Sequence, residues 1–244
     1  MDRPKIILFT LFFIGGVLIS TLSSCNNNSG TMGVQDPKQN ASVSMLASNS
    51  GSGSGNGTLV ITGAKFLIEW IKIETSPGRD DGDIKEGPFE VFINLDGTVS
   101  LIAINNIPSG TFHEVHLKIH KFTPGERVID PDFEGLNGGP GFSGIITGTY
   151  NGVPFTFKTA ITSVEEVEIS PPVVVTAAAS TTTNVTLTIN PKLWFIDQGQ
   201  VLNPLDPNNQ HEIDESIRTS FIKAFEDDDH DGLPDEHEGH HGGH

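Results

Sequence analysis

Acidic side chains fall at alternate positions near the C-terminus: Asp227, Asp229 and Asp231, then Gly232, Asp235 and Glu238. This spacing suits a hard divalent cation. Ca²⁺ takes six to eight oxygens at about 2.3–2.6 Å, and a tightly wrapped loop turns alternate side chains toward its centre. On this reading Asp227, Asp229 and Asp231 supply carboxylates, Gly232 permits the sharp turn, and Leu233 offers its backbone carbonyl. Asp235 ligates directly or through water, and Glu238 closes the shell with two oxygens. The four consecutive acids Glu226 to Asp229 follow an expected helix end, where the dipole is negative and a cation would relieve the crowding. The bland alternative is an acidic tail that water alone solvates.

Other residue types invite weaker proposals. His237, His240, His241 and His244 carry imidazoles that suit Zn²⁺, Ni²⁺ or Cu²⁺, but their glycine-rich surroundings are poorly preorganised. His116 and His120 share one strand face, yet four residues of strand separate them by roughly 13 Å. Without help from a neighbouring strand they cannot share an ion, and they are expected on the surface. Asp80, Asp81, Asp83 and Glu86 either form a second cation loop or decorate a solvated hairpin tip. Gly141-Phe142-Ser143-Gly144 lacks the glycine spacing and strand-to-helix setting of a nucleophile elbow. No nucleophile and base are arranged together, so catalysis is not expected.

The elements that must hold the acidic loop are strands. Leu59-Val60-Ile61, Phe66 to Ile73, Phe89 to Leu95 and Leu101 to Ile104 are apolar or alternating runs, rich in residues that suit a pleated surface. Alternation in Phe66 to Ile73 slips at Glu69-Trp70, which predicts a bulge or a strand buried on both faces. After the turn at Ile107-Pro108-Ser109-Gly110, Val115, Leu117 and Ile119 alternate with Glu114, His116, Lys118 and His120. Asn151-Gly152 predicts a type I′ hairpin. Ser170-Pro171-Pro172 is read as a break, followed by strands at Val173-Val174-Val175 and 184–189. Ile213, Ile217, Phe221 and Ala224/Phe225 fall at helical spacing and predict one amphipathic helix from Asn208 to Glu226. Pro207 and Asn208 stand at its start.

The expected fold is therefore all-β: an antiparallel β-sandwich, Greek-key/Ig-like or transthyretin-like, with one C-terminal α-helix and a solitary calcium loop. The sandwich occupies 58–196, a loop and the helix 197–226, and the calcium loop with its His-rich tail 227–244. The string Asp227 to Glu238 resembles the loops of thrombospondin type 3 repeats and of EF-hand-like modules in secreted bacterial proteins. It departs from a full EF-hand at Pro234, which has no N–H to bridge paired loops, and in Gly239-His240-His241-Gly242-Gly243-His244, which cannot form an exiting helix.

At the other end, Arg3 and Lys5 precede an apolar stretch, residues 6–22, of the kind that enters a membrane during export. It ends in Leu22-Ser23-Ser24-Cys25, which resembles the lipobox of bacterial lipoprotein signals. The resemblance implies cleavage after Ser24 and a diacylglycerol on Cys25, the one cysteine of the chain. Several acyl chains, at roughly 0.8 kcal/mol per buried CH₂, anchor stably. Residues 26–57 are rich in Asn, Ser and Gly and read as a flexible tether of about 30 Å r.m.s. reach. The segment Ile107-Pro108-Ser109-Gly110-Thr111-Phe112-His113-Glu114-Val115-His116-Leu117-Lys118-Ile119, within a chain bearing such a signal, resembles an uncharacterised β-sandwich domain of exported bacterial lipoproteins. That likeness spans residues 58–190 and implies a fold more than an activity.

The formal net charge is −17, and −18 once Asp2, Arg3 and Lys5 leave with the signal. That excludes nucleic acid and argues against adhesion to anionic lipid. The resulting expectation is a non-enzymatic lipoprotein of the bacterial envelope, anchored to the outer membrane and facing periplasm or surface, with a structural or adhesive role. A glycan- or metal-binding module is the alternative, which a loop pocket lined by Trp70 or Trp194 would favour, and an exported hydrolase comes third. Partners are then the membrane and an envelope protein or glycan.

Overall fold

The computed structural model describes residues 39–48, 53–54, 58–75, 83–127, 130–177 and 182–235. β-branched and aromatic residues at alternate positions produce strands along most of this chain. They are β1 (Ala41–Ala47), β2 (Gly53–Ser54), β3 (Thr58–Glu74), β4 (Asp83–Phe92), β5 (Ser100–Asn105), β6 (Gly110–Ile119) and β7 (Gly144–Tyr150). There follow β8 (Val153–Thr159), β9 (Ser163–Val175), β10 (Thr183–Ile189), β11 (Ile196–Asp197), β12 (Gln200–Val201) and β13 (Phe221–Glu226), with one helix, α1 (Gln210–Arg218). The protein is mostly β, as its sequence predicts.

Hydrogen bonding runs through nine strands as one curled mixed sheet in the order β5-β1-β10-β13-β9-β6-β3-β7-β8. The long β3 organises it. One edge meets β7 along Leu59–Phe66 and β6 along Ile68–Glu74, and the other edge meets β2 and β4. The bulge expected near Glu69-Trp70 is present: the register of β3 shifts between Ile68 and Trp70 against both β4 and β6. Asn151 and Gly152 both have positive φ, 52° and 78°, so β7 and β8 close through the turn that their types favour.

Four expectations need correction. The sheet is not purely antiparallel, because β1 runs parallel to β10 and β13 parallel to β9. Both strands come from segments read differently in the sequence. Ala41–Ala47 was expected within the tether, but Ala41, Val43, Met45 and Ala47 are buried in the core and Ser42 and Ser44 are buried opposite them. Residues 26–38 lie outside the described part. The helix expected over 208–226 stops at Arg218, where Thr219 and Ser220 turn back onto it: the Ser220 hydroxyl donates to the Ile217 carbonyl at 2.6 Å. Phe221–Glu226 then enters the sheet between β10 and β9. Its consecutive buried pair, Ala224 and Phe225, mimics a helical stripe, yet in a strand the two side chains point to opposite faces, both covered at this end while Ile222 and Lys223 are exposed. Finally, Ser170-Pro171-Pro172 does not break the chain. β9 passes through it with a cis Ser170–Pro171 bond.

The main core holds Phe66, Ile68, Ile71, Ile73, Val115, Leu117, Leu187 and Trp194, with Ile213 and Ile217 of α1 packed into it. Trp194 meets Phe66 edge to face at 5.6 Å, and its indole N–H donates to the Ser220 hydroxyl at 2.8 Å. A second, small cluster of Leu67, Phe122, Phe133 and Ile145 covers the other face of β3. Among the described residues no helix is long and apolar enough to cross a membrane. Residues 6–22 lie outside them.

Candidate metal centre

A run of alternating polar residues on two neighbouring strands prepares the platform for the acidic loop. In β10, Asn184, Thr186 and Thr188 alternate with Val185, Leu187 and Ile189, and all are buried. The parallel register places Ser42 beside Asn184 and Ser44 beside Thr186. Buried polar groups need partners, and here Ser42, Ser44, Asn184 and Thr186 supply one another, while the buried Thr188 hydroxyl has no hydrogen-bond partner. Ser42 and Ser44 donate to Asn184 Oδ1 at 2.8 and 2.9 Å. Asn184 Nδ2 donates to Thr186 Oγ1 at 3.1 Å and to the Asp227 carbonyl at 2.8 Å.

β13 pairs antiparallel with β10 and delivers the chain to this platform at Asp227. The ladder continues one step beyond the strand, with the Asp227 N–H donating to the Asn184 carbonyl at 3.0 Å. Asp227 is fully buried. Its carboxylate accepts from the Thr186 hydroxyl at 2.6 Å and from the Gly232 N–H at 3.3 Å. The chain then wraps tightly: His230 has φ 61° and Gly232 φ 84°. At Gly232 a side chain would approach Leu46 and Val99 within 3.2–3.3 Å, so the glycine serves both the turn and the docking of the loop.

The carboxylates of Asp227, Asp229 and Asp231 converge, with one oxygen from each within 4.8 Å of the others. Asp229 Oδ1 accepts from the Asp231 N–H at 3.1 Å, and Asp231 Oδ1 from the Leu233 N–H at 2.7 Å. These bonds hold the Asp229 and Asp231 carboxylates through one oxygen each, whereas both oxygens of Asp227 already accept hydrogen bonds. The three acids read from the sequence as the start of a ligand set are thus brought together, and this group has the donors to hold a metal ion.

The rest of the expected set is distributed differently. Asp235 sits with Glu226 and Asp228, in a second group of three with oxygens inside 4.8 Å, and its Oδ2 accepts from the Asp228 N–H at 3.0 Å. Asp235 is therefore grouped with Glu226 and Asp228 rather than with the three acids at 227, 229 and 231. Asp228 itself accepts from the Asn184 N–H at 2.7 Å. Burial pushes its carboxyl above the usual aspartate range, and the charges of Asp235 and Asp227 push the same way. Leu233 lies on the loop with its side chain exposed. A strand rather than a helix precedes the loop, so no helix dipole contributes to the crowding of acids. Glu238, His237, His240, His241, His244 and Cys25 lie outside the described residues.

Sequence reasoning missed the platform. Its signal was the alternation of small polar residues in Ala41–Ala47 and Thr183–Ile189, which resembles surface strand until the loop is known to cover it. It also misplaced three other residues. His116, expected on the surface, is buried. His120 is held between Glu126 at 2.8 Å and Glu69 at 3.3 Å. Trp194 is wholly inside the core and cannot line a pocket. Asp80 and Asp81 lie outside the described residues, while Asp83 and Glu86 belong to β4.

One pocket of about 390 Å³ is lined by Lys65, Phe92, Asp132, Thr147, Thr156 and Lys158, among others. Lys65 pairs with Asp130 and Asp132, and the Lys158 ammonium donates to the Asp132 carbonyl at 2.8 Å. Phe92 is 64% exposed. Comparison with protein-family models, with curated proteins and with solved structures gave no match. Function must therefore be argued from these groups alone.

Proposed function

We propose that this chain is a lipid-anchored protein of the bacterial envelope whose C-terminal loop binds Ca²⁺ through Asp227, Asp229 and Asp231. The convergence of those three carboxylates carries the reading, because hard oxygens at this spacing suit Ca²⁺ better than softer metals. Its role is structural: the ion fastens the acidic loop onto the buried polar face of β1 and β10. The Leu233 carbonyl and Glu238 complete the shell, and Cys25 holds the domain at the membrane. The role is one of binding rather than catalysis, and it extends to adhesion if an envelope partner reads the closed loop.

Thermal unfolding tests the calcium reading. A single site at tenfold excess over Kd adds about 1.4 kcal/mol, or about 3–6 °C in Tm for a domain of this size. Ca²⁺ should give that shift, and Asp231→Ala should remove it. Equal stability with and without millimolar Ca²⁺ would refute the site. The anchor is tested separately: Cys25→Ser should abolish lipid labelling and release the protein from membranes.

The pocket beside Phe92 favours a second reading, a glycan-binding module. An exposed aromatic ring next to two threonine hydroxyls and a lysine offers an apolar platform with polar rims, the usual make-up of a small-molecule site. Phe92→Ala should then abolish retention on envelope polysaccharide without changing Tm.

A further inference from the structure

A second cluster of ligating side chains lies away from the acidic loop, where the end of β3 meets β6. Glu74 and Glu114 are directly opposite in the antiparallel register, and His116 stands two residues beyond Glu114 on the same face. Glu74 is 5% exposed and His116 8%. The His116 Nε2 atom lies 3.0 Å from Glu114 Oε2, and its Nδ1 atom 3.4 Å from Glu74 Oε1. One donor atom from each of the three falls within 4.8 Å of the others.

Both imidazole nitrogens therefore face a carboxylate oxygen. A neutral imidazole has one N–H and one lone pair, so it can satisfy only one of these contacts and aims its lone pair at an anion in the other. That second contact favours an added metal cation. The neighbours strengthen the demand. The next strand, β9, places Glu168 beside Glu114 and Glu166 beside His116, so glutamates occupy three adjacent strands in one row, and like charges directly opposite repel. Lys72 is the basic residue beside His116 on β3.

We propose that Glu74, Glu114 and His116 form a site for a borderline divalent cation, Zn²⁺, distinct from the calcium loop. Mixed imidazole and carboxylate donors suit Zn²⁺, whereas the all-oxygen loop suits Ca²⁺. With Zn–N and Zn–O bonds of about 2.0–2.2 Å, ligand atoms already inside 4.8 Å need only side-chain adjustment. The ion ties the end of β3 to β6.

The test uses the full chain in detergent, with His237, His240, His241 and His244 replaced by alanine and the acidic loop saturated with Ca²⁺. Zn²⁺ is titrated by calorimetry, and Co²⁺ serves as a visible-absorption probe of ligation. One saturable equivalent is expected, with Co²⁺ bands that Zn²⁺ bleaches. His116→Gln and Glu114→Gln should each weaken it by at least about tenfold, and two variants guard against a fold defect in one, checked by circular dichroism. Absence of saturable Zn²⁺ binding, or affinity unchanged in both variants, would overturn the site. So would an NMR spectrum in which His116 keeps both ring protons at saturating Zn²⁺, because a proton alone then meets the demand.

Discussion

Replacing Asn184 with alanine should destabilise the protein by roughly 3–5 kcal/mol. Asn184 is fully buried and joins β10 to β1 and to the acidic loop through three side-chain hydrogen bonds, with a fourth to Thr186 of its own strand. Two of its partners keep an alternative. Ser44 retains His230 Nδ1 at 3.4 Å, and Thr186 retains Asp227 Oδ2 at 2.6 Å. The Ser42 hydroxyl loses the partner the structure shows for it, and the Asp227 carbonyl keeps only the His230 N–H at 3.3 Å. Two net losses of about 1 kcal/mol each, with about 1–3 kcal/mol for a stranded buried group, give the estimate. Ser42→Ala alone should cost about 1 kcal/mol, and the double variant should show coupling of about 0.5–3 kcal/mol. Urea unfolding followed by tryptophan fluorescence measures all three, since Trp194 is buried in the same core. A loss below about 1 kcal/mol for Asn184→Ala, with zero coupling to Ser42, would refute the docking of β1 and the platform built on it.

Further outcomes follow from the same packing. A chain beginning at Pro37 should fold, whereas one beginning at Thr58 should not, because it lacks the buried Ala41, Val43, Met45 and Ala47; circular dichroism separates the two. Ile217→Ala should lower stability by about 2–5 kcal/mol in urea unfolding, since Ile217 is fully buried where α1 meets the core. Burial pushes the Asp214 carboxyl up, against hydrogen bonds from Thr159 and Gln210 that pull it down. The folded state therefore disfavours its charged form, and the contribution of Asp214 to stability is lost as pH rises from the ordinary aspartate value of ~3.9 through the raised folded value. Asp214→Asn should gain on the wild type between pH 4 and pH 7 in thermal unfolding, and an advantage that grows toward low pH would contradict the sign.

How much of this was legible depends on whether the signal was local. The Asn151-Gly152 turn and the slip at Glu69-Trp70 are written in adjacent residues, and both are present. Phe221–Glu226 was misread because the adjacent residues Ala224 and Phe225 are both buried, which breaks the period of two and completes a helical stripe begun by Ile213 and Ile217. Ala41–Ala47 was misread because its serines find partners on Asn184, 140 and 142 positions away, which composition cannot reveal. At the metal centre, Asp227, Asp229 and Asp231 were legible because one short loop supplies them all. The grouping of Asp235 with Glu226 and Asp228 was not, since it depends on the chain returning so that Asp235 meets the Asp228 N–H. His116 was weighed against His120 along its own strand, while its ligating neighbour Glu74 comes from the strand beside it.

Calorimetric titration of the full chain in detergent with Ca²⁺ tests the calcium reading most directly. One saturable equivalent per chain is expected, with Kd on the order of 10⁻⁴–10⁻³ M, the range of modules that meet ambient extracellular calcium. Asp231→Ala should abolish the heat, because it removes a converging carboxylate, while Asp80→Ala should leave it unchanged. Absence of saturable heat up to about 5 mM Ca²⁺, several times the upper end of that range, would contradict the reading and leave the loop as a folded acidic turn that holds no calcium.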